Sequence, residues 1–337
     1  MTTRQALVEP ANVKLVRTDE SGEVASAEPV IAQIMITPHR GWHLINFAEL
    51  WRFRELLYFL TWRDVKIRYK QTLLGAAWAV LQPFMMMIVF TVFLGRMAHV
   101  SSGEFPYPVF AYAGLLPWMF FSTAIANAGQ SVVGSERLIT KIYFPRLAIP
   151  MSSVGAALVD FLIAFVVLLG MMLWYRIVPS WNLLMVPVLL ALLTLAAVGV
   201  GTLLAALNVA YRDFRYVIPF LAQLWMFATP TVYMATADES SPASSQQIAA
   251  VDAENSADPQ AAAHSRKSAD EGAVPDDIQK LLNLNPLTGL IGGFRAATLG
   301  GEIGWKQLGY STVGVVGLFL AGCLYFRRVE DSFADII

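Results

Sequence analysis

The chain has 337 residues, of which 56% are hydrophobic and only 15% are charged, and its formal net charge is −1. Water cannot solvate a surface of that composition, so an ordinary soluble domain is excluded and a protein that crosses the membrane several times is predicted. The near-neutral charge gives no support for nucleic-acid binding. The single cysteine, Cys323, excludes a disulfide within the chain.

Residues 1–48 precede the first predicted membrane element. They mix scattered charges with three prolines and contain no continuous apolar core, so we expect a mostly disordered cytoplasmic tail rather than a cleaved signal peptide. His39 and His43 have the i, i+4 spacing of a helical metal site, but Gly41 separates them and no acidic or cysteine cluster accompanies them. We therefore predict no metal ligands here.

A basic, aromatic helix is predicted at residues 49–71. One face has apolar and aromatic residues at helical spacing, and a neighbouring stripe is basic, which indicates an amphipathic helix at the membrane interface. The apolar face consists of Tyr58, Trp62, Val65 and Tyr69. The candidate functional residues of this interface helix are Trp62, Arg63, Lys66 and Lys70.

Uncharged stretches long enough to cross a hydrocarbon core of about 30 Å recur along the rest of the chain. They predict an all-α integral membrane protein with six membrane-spanning helices, spans one to five within residues 72–235 and span six within residues 305–337. Thirteen basic residues flank the spans on one side, against two in the short loops of the other. This asymmetry predicts that both termini are cytoplasmic.

Two features lie between and within these spans. Residues 135–148 form a short, charged, amphipathic segment that returns the chain to the cytoplasm between spans two and three. Asp160 is ten residues into span three, and an acid there needs a partner or water. It marks either a polar site in a pathway or a hydrogen-bonded packing residue near the inner boundary, and its distance from the start of the span favours the second interpretation.

Residues 236–279 differ sharply in composition from the spans. They contain nine acidic residues, two basic residues and no aromatic residue, which predicts a disordered insert. Because successive loops between spans lie on alternate sides of the membrane, we expect this insert on the outer side. Residues 280–304 are apolar but broken by Pro286 and several glycines, and they are too short for two full spans. We expect a re-entrant hairpin on the outer side, before the last span.

The sequence lacks several kinds of chemistry. It has no G-x-x-x-x-G-K-[ST] loop, so any ATP-driven step needs a separate subunit. It also lacks a G-x-S-x-G elbow and Cys/His metal spacings, which disfavours a hydrolase. Asp160 is the only acid deep among the spans, whereas an ion-coupled carrier typically has several ionisable groups there. A passive or partner-driven conduit remains.

Four short stretches occur in a fixed order among the predicted spans. They are LLGAAWAVLQPF, with Gly75, Trp78 and Pro83; KIYFPRLAIP, with Lys141, Phe144, Pro145 and Pro150; NVAYRDFRYVIPF, continuing to TPTVY, with Arg212, Asp213, Pro230 and Tyr233; and NPLTGLIGGFR, with Asn285, Pro286 and Arg295. Together they resemble the permease subunit of polysaccharide-exporting type-2 ABC transporters, the group that exports O-antigen, capsule and teichoic acid.

The resemblance implies a homodimer in the bacterial inner membrane that works with two copies of a separate ATPase subunit. ATP and Mg²⁺ would be held by that subunit, so this chain would be a transport subunit with no catalytic residue, cofactor or metal of its own. The segment 135–148 would be the coupling helix that contacts the ATPase. Its matching residues are Glu136, Arg137, Lys141, Phe144 and Pro145.

The substrate implied by the resemblance is a lipid-linked polysaccharide, with O-antigen favoured. Aromatic faces stack on sugar rings without tight specificity, which suits a sliding glycan. The aromatic candidates for this path are Trp78, Phe84, Trp225, Phe227 and Tyr233. Two alternatives stay open: an exporter of drugs or small lipids from the same superfamily, and a membrane channel or enzyme that acts without ATP. A neighbouring gene for a P-loop ATPase beside glycosyltransferase genes would discriminate among them.

Overall fold

The computed structural model describes residues 51–70, 75, 77–97, 105–141, 144–229, 285–330 and 333. Within these residues every regular element is helical. The tail 1–48, with His39 and His43, and the insert 236–279 lie outside the described residues, so the expectations for them stay predictions.

Nine α-helices lie in the described part of the chain. In order they are α1 (Arg54–Lys70), α2 (Ala77–Phe90), α3 (Tyr107–Gly134), α4 (Glu136–Lys141), α5 (Ala148–Trp174), α6 (Val186–Ala210), α7 (Phe214–Phe227), α8 (Pro286–Leu299) and α9 (Trp305–Val329). A π-helical turn, Thr91–Met97, extends α2, and a 3₁₀ helix, Trp181–Met185, leads into α6.

Five helical stretches among the described residues are long and apolar enough to cross a membrane. They are Ala77–Met97, Tyr107–Gly134, Ala148–Trp174, Trp181–Ala210 and Trp305–Val329. These match predicted spans one to four and span six, which confirms a multi-pass, all-helical membrane protein. The predicted fifth span is described only as α7, whose 14 residues rise about 21 Å. The count of six spans therefore stays a prediction.

The helix α3 forms the centre of the bundle. It packs against α5 and α6, and also contacts α2, α7 and α8, so most of its side chains are buried. Small residues on α6 allow this close packing: Ala197, Gly201 and Ala205, which recur every four residues, are all buried. Small residues at this four-residue spacing predict, from the sequence alone, a helix face that packs closely inside the protein.

The last span crosses α6 at backbone contact. A Cβ atom added to Gly322 of α9 would overlap the carbonyl oxygen of Gly199, and a Cβ on Gly199 would meet the backbone of Phe319. Only residues without a side chain fit this crossing. The crossing fixes α9 against the centre of the bundle.

The helix α8 is short, capped and almost wholly buried. The Asn285 side chain accepts a hydrogen bond from the Leu287 N–H at 3.1 Å, which caps the N-terminus. Gly300 ends the helix at φ 87°, a left-handed conformation that favours glycine. The helix packs against α3, α6 and α9. It is the described part of the predicted hairpin 280–304, whose first residues lie outside the described ranges.

Candidate functional site

The interface helix α1 lies against the third span, α5, through a polar face. The Ser152 hydroxyl donates to the Asp64 carboxylate at 3.1 Å. One turn away, a Cβ on Gly155 would lie 3.0 Å from Thr61 Oγ1, so the two helices are in close contact there. The predicted apolar face is divided: Tyr58 is 64% exposed and Trp62 is 48% exposed, whereas Val65 and Tyr69 are partly buried.

Asp160 is hydrogen-bonded by two residues at the end of α1. Arg68 Nη1 and the Tyr69 hydroxyl both donate to its carboxylate. Asp160 is the thirteenth residue of α5, about 18 Å along the axis from Ala148. The acid is therefore a bonded residue in the middle of the helix, and α1 reaches that depth.

Burial shifts the pKa values of the two donors, Arg68 and Tyr69, in opposite directions. Burial lowers the pKa of Arg68, and the nearby carboxylate of Asp64 opposes this shift, while burial raises the pKa of the Tyr69 hydroxyl. Tyr69 keeps its proton at neutral pH and acts as a donor. The ion pair of Arg68 and Asp160 stays partly accessible, since the Arg68 side chain is 30% exposed and the Asp160 side chain is 19% exposed.

A cavity of about 370 Å³ lies beside this pair, and we call it the Asp160 cavity. It lies among α1, α2, α3 and α5, and Trp78 and Gln82 contribute to its wall from α2. Asn127 of α3 lies on the same wall. The cavity combines one ion pair with aromatic and amide side chains, which is a suitable lining for a polar group held among apolar helices.

A second cavity, of about 800 Å³, lies between α1 and the coupling segment 135–148, and we call it the Arg137 cavity. Its charged wall residues are Arg63, Asp64, Arg68, Glu136 and Arg137. Two of its wall residues, Arg68 and Asn127, also line the Asp160 cavity. The two cavities therefore adjoin at Arg68 and Asn127.

The coupling segment has one anchored side and one free side. Ile139 and Phe144 are 7% and 6% exposed, in an apolar cluster with Leu60 of α1 and Phe326 of α9. The predicted coupling residues Glu136, Arg137 and Lys141 are exposed, and Pro145 is partly buried where the chain enters α5. The segment is therefore held by its apolar side in this cluster, while its charged residues are exposed.

The predicted aromatic path is not a single row within this chain. Trp78 is 53% exposed and lines the Asp160 cavity, whereas Phe84 is partly buried against the core. Trp225 donates from Nε1 to Asn285 Oδ1 at 3.0 Å and its ring contacts that of Phe121 at 5.2 Å. Phe227 is 63% exposed. Tyr233 lies outside the described residues.

The sequence interpretation missed Arg68 and Tyr69 as partners of Asp160. A signal was present, because Thr61, Asp64 and Arg68 repeat at helical spacing and give α1 a third, polar face. The described residues contain no group of three or more His, Cys, Asp or Glu side chains placed to hold a metal ion.

Comparisons with known proteins agree on one family. The model of the ABC-2 type transporter family matches residues 55–237. The chain is 32% identical over 185 residues to the O-antigen export system permease protein RfbA of Myxococcus xanthus, covering 55% of this chain and 70% of that protein. It is 22% identical over 287 residues to the RfbA permease of Klebsiella pneumoniae, covering 84% and 95%.

A capsule-related protein also matches. The polysialic acid transport protein KpsM of Escherichia coli is 25% identical over 163 residues, which cover 47% of this chain and 62% of that protein. All three relatives have names that refer to export or transport of a polysaccharide.

Proposed function

From the premise that this chain belongs to the ABC-2 type transporter family, we propose that it is the membrane permease of an ATP-driven exporter of lipid-linked polysaccharide. The relatives aligned over most of their length are O-antigen export permeases, which makes O-antigen the favoured glycan. The observation that carries the proposal is the coupling segment. Ile139 and Phe144 anchor it in an apolar cluster that includes Leu60 of α1 and Phe326 of α9, and its charged residues Glu136, Arg137 and Lys141 are exposed.

The partner is a separate ATPase subunit, present in two copies with a homodimer of this chain. The sequence itself has no phosphate-binding loop, so the energy of ATP must reach the spans through a protein contact. Glu136, Arg137 and Lys141 supply the charged surface for that contact, while Phe144 and Pro145 connect it to α5. Movement of the segment is then transmitted to the third span and the interface helix.

The membrane arrangement follows from the same premise. The permease crosses the bacterial inner membrane six times, with α7 as the described part of the fifth span and both termini in the cytoplasm. The helix α8 belongs to a hairpin that closes the outer mouth of the path. The acidic insert 236–279 lies on the outer side.

The proposal is tested by exchanging both charges at the start of α4 for alanine. The Glu136→Ala/Arg137→Ala permease should insert normally, lose most surface glycan and no longer co-purify with its ATPase, because a charged contact sets partner recognition. A matched control removes one acid and one base from the other end of the bundle, Glu302→Ala/Lys306→Ala, where both side chains are exposed. Normal export and normal co-purification of the α4 variant would disprove the coupling role.

A further inference from the structure

Arg68 lines both of the adjoining cavities, and among the residues that the structure describes no other basic residue does so. The larger cavity extends to the coupling segment, and the smaller one extends among the spans to Asp160 and Trp78. A group moving from the charged end of the bundle into the spans along these cavities would pass Arg68.

Arg68 is already bound to an anion of this chain. Nη1 is the guanidinium nitrogen that bonds Asp160, and a guanidinium has five N–H donors in a planar fork. The Tyr69 hydroxyl supplies a further donor to the same carboxylate. Together the two side chains form a donor set that suits a tetrahedral or planar oxyanion.

A second arginine that lines the larger cavity, Arg63, has its acidic partner on α1 itself. Arg63 donates to Asp64 from Nε at 3.0 Å and from Nη2 at 2.8 Å. The Arg63 side chain is 41% exposed. The basic residues of α1 that line neither cavity, Arg54, Lys66 and Lys70, are exposed. Of the basic residues of this helix, Arg63 and Arg68 line the cavities.

We propose that Arg68 and Tyr69 bind the phosphate of the anionic lipid headgroup on which the glycan is built, with Asp160 holding the site when no lipid is bound. The inference rests on the proposed function and assigns the headgroup contact within it. Arginine binds a phosphate by paired hydrogen bonds that a lysine point charge does not make. The headgroup approaches through the Arg137 cavity, past Arg63, and displaces the Asp160 carboxylate from Arg68.

The inference is tested with the full chain in nanodiscs of phosphatidylcholine. The probe is a polyprenyl diphosphate, and bound lipid per chain is counted by native mass spectrometry across a titration. Arg68→Gln should weaken binding about tenfold or more, because a charge-assisted hydrogen bond is lost. Arg68→Lys should bind with an affinity between those of the wild type and Arg68→Gln. Because this variant keeps the positive charge beside Asp160, it controls for a loss of folding in Arg68→Gln. Asp160→Asn should bind more tightly than the wild type, because the competing carboxylate charge is gone.

Three further measurements decide the outcome. Arg212→Gln removes one exposed basic charge outside both cavities and should bind like the wild type. Polyprenol in the same nanodiscs should bind poorly, because it has no phosphate. Free pyrophosphate should not displace the lipid at equal concentration; if it does, the site takes a soluble anion and the lipid assignment is overturned.

Equal affinities for the wild type, Arg68→Gln and Asp160→Asn would also overturn the inference, and so would weaker binding by Asp160→Asn. These results are separate from the proposed function. If Glu136→Ala/Arg137→Ala blocks export while the lipid measurements fail, the permease function stands and only the headgroup site is wrong.

Discussion

Asn285 donates a hydrogen bond from its side-chain amide to the hydroxyl of Thr229 at 2.7 Å, although 56 positions separate the two residues. The same amide donates to the Ala228 carbonyl at 3.0 Å. Its oxygen accepts from Trp225 Nε1 at 3.0 Å and from the Leu287 N–H at 3.1 Å. One side chain therefore joins the end of α7 to the start of α8.

This junction should contribute to stability. Asn285→Ala removes a helix cap and leaves polar groups of α7 without their partner, so we expect a loss of about 2 kcal/mol and a lower melting temperature in detergent. Asn285→Asp keeps the acceptor but loses the two donors, and should lie between the wild type and alanine. Asn182→Ala is the control, because Asn182 makes one hydrogen bond, to the Gly301 carbonyl at 3.1 Å. A melting temperature for Asn285→Ala equal to that of Asn182→Ala would contradict the prediction.

The contact between Thr229 and Asn285 predicts that the acidic insert 236–279 can be deleted. Thr229 and Asn285, which flank residues 230–284, are in contact, so we expect that a short linker can replace the insert. Deletion of residues 236–279 with a flexible linker should leave membrane abundance and surface glycan nearly unchanged. Loss of the inserted protein on deletion would show that the segment is structural. Protease protection of the insert in outside-out membranes would argue against its external placement.

Most of the bundle could be predicted from apolar length alone. The bounds of the spans, the small-residue face of the fourth span and the short helix at residues 136–141 all follow from local sequence. The orientation of α1 could not be predicted, because lipid stabilises outward apolar residues as well as the core does. Tyr58 and Trp62 of its aromatic face lie outward, while Tyr69 bonds Asp160 and the polar residues Thr61 and Asp64 lie against α5.

Contacts between distant parts of the chain were also beyond sequence reasoning. Arg68 and Asp160 are 92 positions apart. The spacing of Thr61, Asp64 and Arg68 indicates a polar face on α1, but nothing local indicates that this face lies against Asp160. Trp225 is a candidate for the glycan path that the resemblance implies, and that assignment stays a prediction. Its Nε1 also bonds the cap of α8, a pairing that only the folded chain defines.

The crossing of α6 and α9 gives a packing prediction. Gly322→Ala places a methyl group on the Gly199 carbonyl oxygen, and overpacking of this kind costs about 1–3 kcal/mol or more. Gly317→Ala is a matched control on the same helix, because a Cβ there has no heavy atom within 4 Å, and it should be neutral or stabilising by up to about 1 kcal/mol. Thermal unfolding of the two purified variants compares them directly. Equal melting temperatures would show that the crossing relaxes at little cost.

Trp78 and Trp225, both candidates for the glycan path, should respond differently to substitution. Trp78 lines the Asp160 cavity, so Trp78→Ala should shorten the surface glycan while membrane abundance stays constant, because one stacking contact of about 0.5–1.5 kcal/mol is lost. Trp78→Phe should preserve most of the chain length, since the ring face makes the contact.

Trp225 should behave differently, because it bonds Asn285 and packs on Phe121. Both Trp225→Ala and Trp225→Phe lose the hydrogen bond of Nε1, so both should lower the amount of folded permease. Trp305→Ala is the control for a lost indole, because Trp305 is 64% exposed at the start of α9. It should change neither the amount of folded permease nor the length of the surface glycan. The measurement is the length distribution of surface glycan at matched permease abundance. If Trp78→Ala leaves that distribution unchanged, stacking in the Asp160 cavity does not support glycan movement; if Trp78→Phe fails as badly as alanine, Trp78 is a packing residue like Trp225.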